Sequence, residues 1–351
     1  MYTYFRPGKV WYDTEGKPIQ AHGGSILYAE DTFWWYGENK EGITGRATGE
    51  KCPYWHHGVR CYSSKDLYNW KDEGMIVPES DDENNPFFPS TIMDRPHILY
   101  NDSTKKYVLW AKTAKNGFKN GKFSVCVGNT LHTLRYIGDV STDPHYAGDF
   151  DLFKDGDKAY AVFEHPHSEM ILRELNDDYT DFAPAWSTHI PEESPPTVRE
   201  APAYFTRDGR KFILTSGTTG YFPNPTIAYD ITDLHGEWKD LGKTCRNDLK
   251  RNSFHAQFSS VFHHPHIPDL YIALGDRWLT DLPEDLPDVE EAFYNQYSPH
   301  GTPSPDWRNS RYWSDENTSR AGYVWLPVLF DEKGDPYIEW RTFWTAEEFK
   351  K

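Results

Sequence analysis

Cysteine is scarce, with four in 351 residues: Cys52, Cys61, Cys126 and Cys245. They form no Cys-x-x-Cys pair and have no zinc-like spacing with histidine, which excludes dithiol redox sites and zinc fingers. Cys52 and Cys61 could meet across a loop, although four scattered cysteines fit buried free thiols equally well. Helical periodicity is nearly absent, so an all-α fold is excluded. No apolar run approaches bilayer length. The opening Met-Tyr-Thr-Tyr-Phe-Arg-Pro lacks a basic start, an apolar core and a cleavage site. The expectation is a cytoplasmic protein, with a trimmed secreted chain as the alternative. Basic charge is also in deficit, 37 Lys and Arg against 54 Asp and Glu, for a net charge of −17. Such a chain repels polyphosphate and anionic membrane surfaces, so neither nucleic acid nor membrane is an expected partner. The acidic runs 79–83 and 285–291 read as solvated loop faces. The histidine clusters His56-His57, His165-Pro-His167 and His263-His264-Pro-His266 lack the His-x-x-x-His spacing of a helical metal site. With no Asp-rich calcium loop either, no metal and no cofactor are expected.

What is abundant is aromatic: 16% of the chain, with 14 Trp and 23 Tyr. Most of these rings are expected in core packing, but aromatic faces also stack on sugars, so a carbohydrate cleft fits the composition. Short apolar-aromatic runs recur between Gly, Asp and Asn clusters. Residues 25–38 read as a hairpin turning at Glu30-Asp31, with 59–63 and 70–74 as its outer strands. Similar units begin at Arg95, Phe150, Ala201 and Ser259. A spacing of roughly 40–70 residues is near the length of a propeller blade. The expectation is an all-β, five-bladed β-propeller occupying residues 1–351 as a single domain, with a β-sandwich as the rival. The run 323–330, followed by 340–344, is expected to pair with the N-terminal segment and close the ring.

The most informative stretch runs from Arg199 to Gly220. It sets one carboxylate, Glu200, at the mouth of a hairpin that turns at Asp208-Gly209, a strong short-range hairpin signal. Pro202 biases Ala201 towards an extended conformation. A carboxyl held beside aromatic residues has its pKa raised by desolvation, as a general acid near neutral pH requires.

Several further motifs share one order along the chain. They are Ile19-Gln-Ala-His-Gly-Gly-Ser-Ile-Leu27, Trp35-Tyr-Gly-Glu38, 58–70, Asp94-Arg-Pro-His-Ile-Leu-Tyr-Asn101, Glu200-Ala-Pro202, Thr215-Ser-Gly-Thr-Thr-Gly220, the stretch around Gln257, and Gly275-Asp-Arg-Trp278. In them the chain resembles glycoside hydrolase family 43, and within it the exo-β-1,3-galactanase subgroup. The resemblance implies a five-bladed propeller with its active site at one end of the central channel. It also implies inverting hydrolysis of an oligosaccharide or polysaccharide. On that resemblance Glu200 is the acid, and Asp94 is the carboxylate that tunes it. Arg95 would contact the sugar and hold Asp94 ionised. Glu38, Asp149 and Thr219 would line the terminal-sugar subsite. Most family members carry an Asp base on the first inner strand, where this chain has His22-Gly23-Gly24. The subgroup shares that absence and places a glutamine in the last blade, matched by Gln257. That glutamine either acts as base through its imidic tautomer or only orients water.

Two departures from the subgroup are Asp94, where Glu is common, and Gly148, where Arg is often found. The expected activity is release of galactose from β-1,3-galactan or its oligosaccharides. With no binding module after Trp344, soluble oligosaccharides are expected over an insoluble polymer. An α-L-arabinofuranosidase, β-xylosidase or β-galactofuranosidase is the nearest rival, and a non-catalytic glycan-binding propeller is the rival from another class. Inversion predicts that the Glu200 carboxyl and the Gln257 amide face each other about 6.5–9.5 Å apart.

Overall fold

Runs in which aromatic and β-branched residues alternate with small ones favour a pleated backbone, and here they build strands. The computed structural model describes residues 1–42, 44–47, 54–115, 120–304 and 315–350, so Cys52 lies outside the described residues. Five antiparallel sheets follow one another along the chain, each stepping outward strand by strand. Blade I comprises His22–Ala29, Thr32–Glu38, Gly58–Ser64 and Lys71–Pro78; blade II comprises Ile92–Asn101, Lys106–Ala114, Lys122–Gly128 and Arg135–Val140. Blade III comprises Phe150–Asp155, Lys158–His165, Glu169–Leu175 and Phe182–His189. Blade IV comprises Arg199–Arg207, Arg210–Gly217, Ile227–Asp230 and Lys239–Lys243. Blade V comprises Gln257–His263, Tyr271–Arg277, Gly322–Phe330 and Pro336–Glu339, with Cys245–Arg246 running parallel along its outer edge. The first strands of neighbouring blades touch in cyclic order, the fifth returning to the first, which makes the five-bladed propeller.

The two turns singled out in the sequence are hairpin turns. Glu30 and Asp31 have φ of 51° and 52°, and Asp208 and Gly209 have 51° and 80°. Positive φ at both central residues matches the twist of the flanking strands. Each junction between blades holds its own apolar cluster, so the core is five wedges around a polar channel. The wedge between blades I and V is the most aromatic. Trp35, Trp70, Trp325 and Trp344 are all fully buried there, and Phe5 stacks on Trp344 at 4.1 Å.

The expected closure divides in two. Phe5 N–H donates to the Trp344 carbonyl at 2.9 Å, so the 340–344 segment does meet the N-terminal region. The run 323–330 pairs along its length within blade V, between strands 271–277 and 336–339, and meets the N-terminal segment at its first residue, where the Gly8 N–H donates to the Tyr323 carbonyl at 2.7 Å. The acidic run near residue 288 is not wholly loop either. Asp288 caps a helix, Val289–Tyr297, by accepting the Glu291 N–H, and acidic residues in a first turn suit the helix dipole. No helix among the described residues is long and apolar enough to cross a membrane.

Candidate active site

At one end of the channel a pocket of about 540 Å³ is lined from all five blades. Blade I supplies Glu38 and, from a loop, Trp55; blade II supplies Asp94, Arg95 and Lys112; blade III supplies Asp149. Glu200, Gly220 and Tyr221 come from blade IV, and Gln257 and Trp278 from blade V. A larger cleft of about 1780 Å³ lies between loops 247–255 and 282–290. Much of its charge is committed locally. Asp248 and Asp288 accept backbone N–H groups, and Glu290 pairs with Lys243. The smaller pocket therefore holds the concentration of reactive groups.

One backbone device delivers three of them, Asp94, Arg95 and Glu200, and recurs on blade I. Strand pairing slips between His22 and Ser25, between Asp94 and His97, and between Glu200 and Ala203. Each slip contains one left-handed residue: Gly23 at φ 61°, Arg95 at 55° and Ala201 at 48°. Such bulges bend a strand and re-aim its side chains. Ala201 is thus not extended, as Pro202 led one to expect, because the bulge requires the left-handed turn.

Arg95 is the hub. Its backbone N–H donates to Glu38 Oε1 at 2.9 Å, and its Nη2 donates to Gln257 Oε1 at 2.5 Å. Its Nε donates to Asp149 Oδ2 at 3.1 Å. Lys112 bridges Asp149 and Asp94 at 2.8 and 2.9 Å. A fully buried Lys40 sits 2.8 Å from Glu38 Oε2 and 3.9 Å from Asp94. The Trp55 indole N–H donates to Asp94 Oδ1 at 2.5 Å. Burial would raise the Asp94 carboxyl, but Lys112 and Lys40 outweigh it and hold the group below the usual range. Asp149 is likewise held down against burial by Arg95 and Lys112. Burial pushes Glu200 well above the usual range, and Asp149 and Glu164 push it further. The like-charge part of the push therefore comes from blade III, with Asp94 not among its main sources. Burial also raises Glu38 to about 7 against the pull of Lys40.

The structure brings Glu38, Asp94, Arg95, Asp149, Glu200 and Gln257 to one pocket and leaves Thr219 outside it. The Thr219 hydroxyl is fully buried, donating to the Phe222 carbonyl and accepting from Asn224 Nδ2, both at 2.6 Å. It braces the loop that presents Gly220 and Tyr221.

The spacing between acid and amide also differs from expectation. Gln257 Nε2 donates to Glu200 Oε1 at 2.9 Å and to Ser216 Oγ at 2.8 Å. Blades IV and V are adjacent, so side chains at the starts of their inner strands meet directly. Gln257 Oε1 accepts from Arg95 and from the Trp278 indole, the latter at 3.0 Å. Both partners only donate, so this oxygen acts as an acceptor towards each. With Glu200 Oε1 receiving an N–H, the acid's proton belongs on Oε2.

Sequence reasoning passed over Lys40, Lys112, Trp55, Tyr221, Trp278 and Glu164. Glu164, opposite Asp149 in blade III, is buried and raised to about 7, first by burial and then by Asp149. A Cβ at position 148 would lie 2.6 Å from the Glu164 backbone carbonyl oxygen and 2.5 Å from its Oε2, and the fixed backbone contact explains why glycine stands there.

Comparison with known proteins agrees with this fold. The chain superposes on a family 43 β-1,3-galactosidase, BT0265, with a TM-score of 0.80 and 27% identity, over 99% of this chain and 65% of that one. It superposes on a second, BT3683 with galactodeoxynojirimycin, with a TM-score of 0.77 and 26% identity, over 97% and 100% of the two chains. An exo-β-1,3-galactanase from Phanerochaete chrysosporium, solved with β-1,3-galactotriose, shares the fold. Its TM-score is 0.76 at 21% identity, over 98% and 68% of the two chains. No curated protein matches at the sequence level. Residues 17–241, well over half of the chain, match the model of glycosyl hydrolases family 43, and the chain belongs to that family.

Proposed function

We propose that this glycoside hydrolase is exo-acting and inverting, and releases galactose from β-1,3-linked galactan or its oligosaccharides. The observation that carries the reading is Glu200, a partly buried carboxyl held well above the usual carboxylate range inside a pocket walled by Trp55, Tyr221 and Trp278. A pocket at one end of a channel admits the end of a glycan, which favours exo action over cleavage along a groove. Glu200 Oε2 gives its proton to the departing glycosidic oxygen while water attacks the opposite face of the sugar. Asp149, Arg95 and Lys112 form a charged floor suited to the sugar hydroxyls. The β-1,3-galactosidases BT0265 and BT3683, similar to this chain at 27% and 26% identity, support galactose as the terminal sugar. Proton NMR of β-1,3-galactobiose digestion tests the whole reading at once. The expected first product is α-galactose. No cleavage, or release of β-galactose first, would refute it.

A further inference from the structure

We infer that Glu38 is the general base, its carboxylate occupying space that Gly23 leaves open at the start of the first inner strand. The inference rests on the hydrolase reading above. In a single displacement the base must stand across the sugar from Glu200. In a ring of five, blades III and V border blade IV, and blades I and II are the distant ones. Gln257 on blade V touches Glu200 instead of facing it. Its oxygen holds two N–H donors and its nitrogen donates twice, so it retains no free site for the water's proton.

Two pocket carboxylates come from the distant blades, Asp94 and Glu38. Asp94 is bound on one oxygen by the Trp55 indole and on the other by Lys112, with Lys40 nearby, all of which weaken it as a base. Among the described residues Glu38 Oε1 accepts the Arg95 N–H alone, and Oε2 lies 2.8 Å from Lys40, whose ammonium is shared with the Trp55 carbonyl. A Cβ built on Gly23 would lie 2.4 Å from Glu38 Oε1. The second strand of blade I thus delivers a carboxylate to the place where a side chain on the first strand would project. The charged and titratable groups around it are Lys40, Asp94, Arg95 and Tyr323. Burial brings Glu38 to about 7, which suits proton acceptance near neutrality.

The balance is complete without a co-reactant. Water oxygen bonds to the anomeric carbon, one water proton passes to Glu38, the glycosidic bond breaks, and the Glu200 proton goes to the leaving oxygen. Solvent then returns Glu200 to its protonated form and Glu38 to its ionised form.

The test is chemical rescue of the Glu38→Ala, Glu38→Gln and Gln257→Ala variants, using 2,4-dinitrophenyl β-galactoside and β-1,3-galactobiose with and without azide. Folding is checked by calorimetric galactose binding. Loss of kcat by about 10²–10⁴-fold on both substrates is expected for the Glu38 variants. Azide should restore turnover of the aryl substrate and yield α-galactosyl azide. Glu38→Gln, nearly isosteric, keeps the readout available if the alanine variant does not fold. The inference is overturned if a folded Glu38 variant keeps near-normal kcat or shows no azide rescue. It is equally overturned if only Gln257→Ala forms the azide product. Should wild-type protein cleave a different aryl glycoside, the galactose reading fails, and the base assignment is decided on that substrate by the same rescue.

Discussion

The starts of blades I and IV share a backbone and differ in chemistry. Both slip the pairing register, both place a left-handed residue in the slip, and both aim at one end of the channel. Blade IV puts Glu200 before the bend and Ala201 within it. Blade I puts His22 before the bend, and that imidazole points away from the sugar pocket to bond Asp276 at 2.9 Å. Asp276 also accepts the Gly23 N–H at 2.9 Å, so the glycine bend is pinned from blade V. The bulge fixes where a strand points, while the residue set on it, or the neighbour it makes room for, decides what it does.

Removing the acid should break the comparison most severely. Glu200→Gln is expected to lower kcat on β-1,3-galactobiose by about 10²–10⁴-fold, with a far smaller loss on a dinitrophenyl galactoside that needs no protonation. Equal loss on both substrates would deny Glu200 its role as acid.

The two bends can then be exchanged in character. Gly23→Ala forces a Cβ to within 2.4 Å of Glu38 Oε1 at φ 61°, displacing that carboxylate. A loss in kcat of roughly 10–100-fold is expected from a shift of about an ångström. Ala201→Gly, at the matching bend of blade IV, relieves the left-handed strain and should leave kcat within about twofold. Steady-state kinetics on the pair checks this, and equal effects at both bends would refute it.

A smaller effect is expected from Glu164→Gln. Burial, and then Asp149, push the folded carboxyl up to about 7, above its ordinary value of 4.5. Its contribution to stability is therefore greatest below the lower value and is lost as pH rises through the higher one. The variant should gain roughly 2 °C in Tm over wild type at pH 8 and little at pH 5. The alkaline limb of kcat/KM should also move to lower pH, because one negative neighbour of Glu200 is gone. A Tm difference independent of pH would contradict the assignment.

The smallest catalytic effect belongs to Thr219→Val. It leaves Asn224 Nδ2 without its hydroxyl partner, costing about 1–3 kcal/mol in stability by denaturant unfolding. KM should stay within about twofold, whereas a large KM rise would put Thr219 on the sugar.

Much of this design is legible before any coordinates. Paired aromatic runs and the Glu30-Asp31 and Asp208-Gly209 turns mark the blades, because turn chemistry and strand alternation are local. The carboxylates sit next to recognisable dipeptides at the strand starts. Lys40 and Lys112 are different. Lysines in or near polar-looking strands read as solvent-facing, and only the assembled ring shows them buried among carboxylates. Glu164 is hidden for the same reason, since its meaning lies in the cross-strand distance to Gly148. The Glu200–Gln257 contact depends on the adjacency of two blades, which no spacing along the chain encodes. Ala201 misleads for a local reason. The restriction imposed by a following proline yields to a bulge that three blades share.

The Phe5–Trp344 stack has a temporal consequence. It joins residues from opposite ends of the sequence, and Gln257 and Trp278 come from the blade made last. Ribosomal synthesis must therefore pass blade V before the cavity has all its walls. Contacts so distant along the chain are slow to form. Shorter nascent lengths have no partial version of the catalytic machinery, and the onset of hydrolysis would time the moment the circle locks.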